Sequence, residues 1–243
     1  MTDIASSDNL REIKDRGIWK TPIYADRVNS IAKALDVKDF FDGIEFDINF
    51  DEQANDFFVY HQPAKNVGLQ LTELLHAVAD QPQLKLWLDF KNISDSNIQN
   101  SLNRLKILDD RWKIKHRAIL EIPASSATPM TKLFADSGWK TSYYIPYEFA
   151  GCNNNSSVTA LPTCQQQASH IISQANLMGA SYLSYDVSVS KEVNQWVVPS
   201  MGGLQLLSWN LSFDSSRVDF PRQVERMGKL SGFIVSFKSK YDR

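Results

Sequence analysis

The sequence predicts an α/β protein whose residues 1–243 fold as a single (β/α)8 barrel domain. Short runs of β-branched and aromatic residues alternate along the chain with stretches that carry apolar residues at helical spacing. The runs number eight, which is the strand count of such a barrel. An open doubly wound sheet also alternates in this way, but no glycine-rich fingerprint follows the first run. A length of 243 residues suits one barrel.

The predicted strands are short and are bounded by polar or turn-forming residues. In chain order they cover 11–17, 43–50, 84–90, 117–123, 141–147, 181–187, 204–211 and 232–237. A further run, DFFVYH at 56–61, follows the second strand closely enough to extend its loop or to form a hairpin with it.

The segments between these strands carry helix signals. LQLTELLHAVAD (69–80) places its apolar residues at helical spacing. SDSNIQNSLNRLKIL (94–108) begins with residue types that favour an N-cap, and TCQQQASHIISQANLMG (163–179) ends on a glycine that suits a C-cap. FAGCNNNSSVTALP (149–162) is predicted to be a long loop after a strand and not a domain boundary.

Composition excludes several function classes. The formal net charge is −2, so the chain lacks the basic surface that nucleic acids or anionic membranes require. The start of the sequence has no apolar signal-peptide core, and no run approaches the roughly 20 apolar residues that span a bilayer. Cys152 and Cys164 flank a polar loop and are able to pair, but two free thiols are expected. We therefore expect a cytoplasmic protein.

Acidic residues near the ends of two neighbouring strands predict a cation site. Glu45 and Asp47 are two residues apart in GIEFDINF, so their side chains share one face of that strand. Asp89 closes LWLDFK on the next strand, and residues at the carboxyl ends of barrel strands line the active site. Three carboxylates at one rim suit a hard cation such as Mg²⁺ or Ca²⁺, whose charge would offset their repulsion. By spacing alone, the alternating carboxylates also suit a solvent-exposed face.

Further residues complete a candidate phosphate site. Lys91 follows Asp89 by two positions and shares its direction, and a cation together with an ammonium suits a phosphate group. His61 follows the short run after the acidic strand and is expected at the same rim, although a surface position is the ordinary alternative. By position, Glu121 and Asp186 are candidates for an extra cation ligand or for a residue that supports the ligands. Aromatic residues near strand ends either line the pocket or pack the barrel. These aromatic residues are Tyr143, Tyr144, Tyr147 and Trp209.

These residues resemble the glycerophosphodiester phosphodiesterase group of phospholipase C-like barrels. That group's pattern runs HRG, a helix with ENT, a strand IExDV, a histidine after a further short strand, and IExK. Similar segments here are DRG (15–17), VNSIAKAL (28–35), GIEFDI (43–48), VYH (59–61) and LDFK (88–91). The block from 43 to 91 is also similar to sphingomyelinase D and menorin-like proteins, whose third acidic ligand is Asp. LLSWN (206–210) resembles the tryptophan motif of the seventh strand.

The resemblance implies a metal-dependent phosphodiester hydrolase acting on a glycerophosphodiester-like or phospholipid-like substrate. It implies that the three acidic residues bind a divalent cation that also holds the phosphate, and that His61 is one of two histidines acting as general acid and base. It implies phosphate contacts by Arg16 and Lys91, and contact of Trp209 with the substrate. The attacking group in such enzymes is often a neighbouring hydroxyl of the substrate.

The chain departs from this pattern at its first histidine, which is replaced by Asp15. None of the four histidines precedes the acidic strand, so the second catalytic histidine is missing. An ionised Asp15 would act as a base but is a poor general acid near neutral pH; alternatively it becomes a fourth cation ligand. Two other functions stay open: a catalytically impaired pseudoenzyme or phospho-ligand-binding barrel, and an unrelated barrel enzyme such as a lyase or aldolase that uses Lys91 as a Schiff base.

Overall fold

Eight parallel strands close into a barrel in the computed structural model of this chain, which describes residues 21–152, 163–209 and 229–235. In chain order the strands are β1 (Ile23–Ala25), β2 (Gly43–Asp51), β3 (Asp56–Val59), β4 (Lys85–Phe90), β5 (Ala118–Pro123), β6 (Lys140–Tyr144), β7 (Tyr182–Asp186), β8 (Gln205–Trp209) and β9 (Gly232–Val235). The helices are α1 (Ile31–Val37), α2 (Leu71–Ala77), α3 (Ile98–Trp112), α4 (Lys132–Asp136), α5 (Cys164–Leu177) and the single turn α6 (Ser190–Glu192).

The sheet closes because its first strand pairs with two neighbours. The pairing order is β1, β9, β8, β7, β6, β5, β4 and β2, and β1 also pairs with β2. Every pair around this ring is parallel, whereas β3 lies outside the ring and pairs antiparallel with β2 as a hairpin. The predicted (β/α)8 barrel is confirmed, and the run at 56–61 contributes the hairpin partner.

The first barrel strand is Ile23–Ala25 and not the predicted segment 11–17, which lies outside the described residues. The strand Ile23–Ala25 was not predicted, because it has only three residues, too few to show the alternation that marks a half-buried strand. Its pairing with β2 and β9 identifies it, since Tyr24 lies opposite Gly43 on one side and Ile234 on the other. Long-range pairing of this kind leaves little trace in local sequence.

Large side chains fill the barrel interior below its carboxyl end. Tyr24 occupies space that two glycines leave open: a Cβ atom would lie 2.4 Å from the Tyr24 ring at Gly43 and 2.9 Å at Gly232. The Tyr24 ring packs edge-on against Trp87 at 5.5 Å between ring centroids. The other buried members of this interior cluster are Ile119, Leu207 and Ile234. This packing closes the barrel from below and leaves polar side chains at one mouth.

Cys152 and Cys164 form a disulfide, with their Cα atoms 5.1 Å apart, so the expected free thiols are wrong. The bridge joins the end of the helical turn Tyr147–Gly151 to the first residue of α5. Disulfides are common in oxidising compartments and rare in the cytoplasm. The cysteines therefore give no support to the cytoplasmic location, which stays a prediction. None of the helices in the described parts of the chain combines the length and the hydropathy that crossing a membrane requires.

Candidate active site

A cavity of about 240 Å³ opens at the carboxyl end of the barrel, the end at which barrel enzymes carry their active sites. Its lining comprises the carboxyl groups of Asp26, Glu45, Asp47, Asp89 and Glu121, the basic side chains of Arg27, His61 and Lys91, the rings of Tyr144, Tyr147 and Trp209, and Ile234. Residues that are far apart in sequence thus converge on one space that carries both signs of charge.

A larger cavity of about 590 Å³ lies near the amino ends of β1, β2 and β4. It borders Thr21, where the described part of the chain begins, and its charged members include Lys38, which pairs with Asp80. It has no histidine and no group of acidic residues able to hold a metal ion among the described residues. The smaller cavity at the carboxyl end is therefore the candidate active site.

Three carboxylates meet at the centre of this cavity. Asp47 on β2 and Asp89 on β4 are register partners, and Glu45 lies two residues before Asp47 on the same face. One carboxylate oxygen of each lies within 4.8 Å of the others. Glu45 and Asp47 are only 4% and 1% exposed, whereas the alternate residues of β2 pack in the outer core. The carboxylates therefore face the barrel interior and not solvent.

Backbone and side-chain donors from the β1–α1 loop hold two of these carboxylates. The Arg27 N–H donates to Glu45 Oε2 at 2.7 Å. The Asn29 side chain donates to Asp47 Oδ2 at 2.6 Å and accepts from the Asp47 N–H at 3.0 Å. These contacts fix the direction of Glu45 and Asp47 before any ligand binds, which is the preorganisation that a cation site requires.

Lys91 lies beside the same carboxylates. Its Nζ is 2.9 Å from Asp47 Oδ1 and also donates to Asp89 Oδ2. Burial disfavours the charged ammonium, but Asp89 and Asp47 outweigh this effect and raise the pKa of Lys91. The side chain is therefore a permanent cation at the cavity, with 26% of its area exposed toward an incoming anion.

The charge of Lys91 does not balance the negative charges of the three carboxylates. Burial, followed by the charges of Asp47, Asp26 and Asp89, raises the pKa of Glu45 well above its ordinary value, against the smaller effect of the Arg27 N–H. Burial also raises the pKa of Asp89, although Lys91 opposes it. A divalent cation fits this set because it takes oxygen ligands and relieves their mutual repulsion.

Glu121 on β5 is a fourth buried carboxyl at the cavity. It is 3% exposed and is the register partner of Asp89. Burial, followed by the charge of Asp89, raises its pKa to about 8, while Ser184 and Lys91 act in the opposite direction.

The stability of the metal-free protein is expected to fall between pH 5 and pH 8. Glu45, Asp89 and Glu121 bind protons more tightly in the folded chain than in the unfolded one, so folding loses free energy as they ionise, by up to about 1.4 kcal/mol per pH unit for each proton. Lys91 adds no slope in this window, because its pKa is raised from an already basic value. Thermal unfolding in EDTA measures the effect.

Added Mg²⁺ or Ca²⁺ should raise the melting temperature more at pH 8 than at pH 5, since cation and proton compete for the same oxygens. The Glu45→Gln variant lacks one of these titrating groups. In EDTA its melting temperature should therefore fall less steeply between pH 5 and pH 8 than that of the wild type. A melting temperature that stays constant or rises across this range in the metal-free wild type would contradict the expected proton uptake.

His61 and an aromatic wall complete the cavity. The Tyr60 N–H donates to the Asp47 carbonyl at 3.1 Å, which anchors the segment that brings His61 to the rim. On the other side, Tyr144 contacts Trp209 edge-on at 4.8 Å and Tyr147 at 5.8 Å between ring centroids. Tyr143 does not line the cavity, because it points outward into the core and is 3% exposed.

The structure brings together most of the residues singled out in the sequence and adds others. Asp15 and Arg16 lie outside the described residues, and their predicted roles stay predictions. Asp26 and Arg27 occupy the end of the first barrel strand instead, and Arg27 has a positive φ of 48°, which is rare for a residue with a side chain. The sequence offered one signal for this position. The dipeptide Asp-Arg of residues 15–16 occurs again at residues 26–27, directly after the run IYA. Asn29 gave no signal beyond its polar type.

No protein-family model matches the sequence, and no curated protein matches it. Solved structures do match. A glycerophosphodiester phosphodiesterase from Parabacteroides distasonis superposes with a TM-score of 0.60 at 14% identity, covering 89% of this chain and 92% of that one. Another from Agrobacterium tumefaciens has a TM-score of 0.51 at 10% identity, covering 89% of this chain and 96% of that one.

An N-(5′-phosphoribosyl)anthranilate isomerase from Pyrococcus furiosus also matches, with a TM-score of 0.52 at 10% identity over 91% of each chain. Identities this low establish the fold alone, and an isomerase shares it, so the chemistry has to be argued from the cavity. The similarity to sphingomyelinase D and menorin-like proteins stays a prediction. The chain has the (β/α)8 barrel fold that both glycerophosphodiester phosphodiesterases and this isomerase share.

Proposed function

We propose that this protein is a metal-dependent phosphodiester hydrolase acting on a glycerophosphodiester-like or phospholipid-like substrate. One observation carries the proposal: a buried group of three carboxylates, a lysine that pairs with two of them, and a histidine share one cavity at the carboxyl end of the barrel. This combination suits an anionic ester, because a phosphate needs positive charge and its cleavage needs a proton donor and a proton acceptor.

Glu45, Asp47 and Asp89 would hold the cation, as their oxygen atoms and burial suit Mg²⁺ or Ca²⁺. The bound ion would supply positive charge at the phosphate oxygens. Lys91 supplies a further fixed charge from the same side of the cavity. We assign to Arg27, at the rim, a phosphate contact like the one that the resemblance implied for Arg16.

Cleavage forms one P–O bond to an attacking oxygen and breaks another to the leaving alcohol. The attacking oxygen, from water or from a hydroxyl of the substrate, loses a proton, and the leaving oxygen gains one. His61 and Asp26 are the groups at the cavity that we assign to these transfers. Because an ionised aspartate is a poor acid near neutral pH, we assign Asp26 as the base and His61 as the acid.

The direct test is hydrolysis of bis(p-nitrophenyl) phosphate and of glycerophosphodiesters with Mg²⁺ or Ca²⁺. We expect turnover that EDTA abolishes and re-added cation restores, and much slower hydrolysis of the monoester p-nitrophenyl phosphate. Failure to cleave any diester under either cation would count against the hydrolase.

A phospho-ligand-binding barrel with little catalysis is the second candidate, because the only histidine that lines the described part of the cavity is His61 and Asp26 occupies the end of the first strand. Such a protein would bind a phosphate ester in the presence of cation without turning it over. Asp26→His should then raise diesterase activity if the aspartate is what limits the chemistry.

A further inference from the structure

A buried asparagine on β2 holds the segment that carries His61. Asn49 lies two residues after Asp47 on the same face of the strand, and only 3% of its surface is exposed. The pairing of β2 with β3 ends at Val59, and just beyond that point the Asn49 Nδ2 donates to the Tyr60 carbonyl at 2.8 Å. The bonded carbonyl therefore belongs to the residue directly before His61.

This contact orients the main chain at His61. A peptide unit is planar, so a hydrogen bond to the Tyr60 carbonyl fixes the plane that also contains the N and Cα atoms of His61. Backbone bonds secure the units on either side. The Tyr60 N–H donates to the Asp47 carbonyl at 3.1 Å, and the His61 carbonyl accepts from the N–H of Ala64 at 2.9 Å. Asn49 thus helps to set the direction in which the His61 side chain leaves the main chain.

The other end of the Asn49 amide has no partner. Its Oδ1 atom is buried and accepts no hydrogen bond within the described residues. Unpaired buried acceptors are destabilising and rare in folded proteins. A side chain that served stability alone would not leave half of its polar group unpaired, so the donor on Nδ2 indicates a requirement at the segment that it holds. That segment is the one that leads into His61.

On the basis of the proposed function, in which His61 transfers a proton, we propose that Asn49 is a positioning residue that holds the His61 imidazole within reach of the leaving oxygen. Among the described residues His61 lines the cavity and Asn49 does not, so Asn49 acts through the histidine. A proton donor has to lie about 2.6–3.2 Å from the atom that it serves, and a displacement of about 1 Å costs about 10²-fold in rate. Loss of the contact therefore lowers kcat and leaves substrate and cation binding nearly unchanged.

Asn49→Leu removes the donor in a side chain of similar size, and its effect is measured on two diesters with Mg²⁺ or Ca²⁺. The alkoxide of a glycerophosphodiester needs a proton in order to leave, whereas p-nitrophenolate leaves without one. On a glycerophosphodiester we expect kcat to fall about 10- to 100-fold, with KM within about threefold of the wild type. On bis(p-nitrophenyl) phosphate kcat should fall by less than about threefold. Cation affinity, measured by calorimetry, should stay at its wild-type value.

A double-mutant cycle identifies the route of the effect. Adding Asn49→Leu to His61→Gln should change kcat by less than about twofold, because the group that Asn49 positions is already gone. Asn49→Ser withdraws the donor from the Tyr60 carbonyl with a shorter polar side chain, and it serves if the leucine variant does not fold. Asn103→Leu is the matched control and should keep full activity, since Asn103 is exposed on α3 and does not line the cavity.

The outcomes separate this role from the proposed function. Unchanged kinetics in Asn49→Leu, equal losses on the two diesters, a loss confined to KM, or a further loss of about 10-fold in the His61→Gln background would overturn the positioning role while leaving the hydrolase standing. Absence of diester turnover by the wild type would overturn the hydrolase and the positioning role together.

Discussion

Replacing Glu45 by glutamine is expected to lower kcat/KM for a diester by about 10³-fold or more, which corresponds to about 4 kcal/mol of lost transition-state stabilisation. Glu45 is buried with its Oε2 held by the Arg27 N–H, so the amide fits the same space but supplies no charge to the cation. Steady-state kinetics in Mg²⁺ or Ca²⁺ measures the loss, and calorimetric titration of the ion should show weaker binding in parallel.

The same change should not unfold the protein. Glu45 in the metal-free state carries a carboxylate that burial and three neighbouring acids disfavour, so removing its charge is neutral or stabilising in EDTA. Glu52→Gln is the matched control, because Glu52 lies exposed in the turn directly after β2 and should keep full activity. Wild-type cation affinity in Glu45→Gln would show that the carboxylate group is not the cation site.

The acidic group could be predicted because it depends on a rule that acts within single strands. Glu45 and Asp47 alternate with apolar residues, and the same alternation puts Asp89 and Lys91 on one face of the next strand. Parallel neighbours in a barrel align their carboxyl ends, so the pairing of Asp47 with Asp89 follows once both strands are recognised.

Other parts of the site depend on contacts that no local pattern records. Asp26 and Arg27 reach the cavity because a three-residue strand pairs with β2 and β9. Asn29 matters only because its loop folds back onto Asp47. Glu121 followed from position as a candidate, but its burial beside Asp89 is visible only in the packed interior. The disulfide likewise depends on the distance between the two ends of a loop.

Substitution of His61 by glutamine is the second change with a large expected effect, a loss of about 10²–10⁴-fold in kcat/KM on a glycerophosphodiester. His61 lines the cavity but is not part of the carboxylate group, so cation affinity should stay within about threefold of the wild type. His116→Gln is the control, because His116 is exposed and away from the cavity lining.

The leaving group decides which proton transfer His61 performs. An alkoxide leaves only with a proton, whereas p-nitrophenolate is stable enough to leave without one, so loss of the general acid should matter far less for the nitrophenyl ester. We therefore expect His61→Gln to cost less than about 10-fold on bis(p-nitrophenyl) phosphate, and Asp26→Asn to impair both substrates alike. Equal losses on both substrates in His61→Gln would make the histidine the base and would leave the general acid to be sought elsewhere.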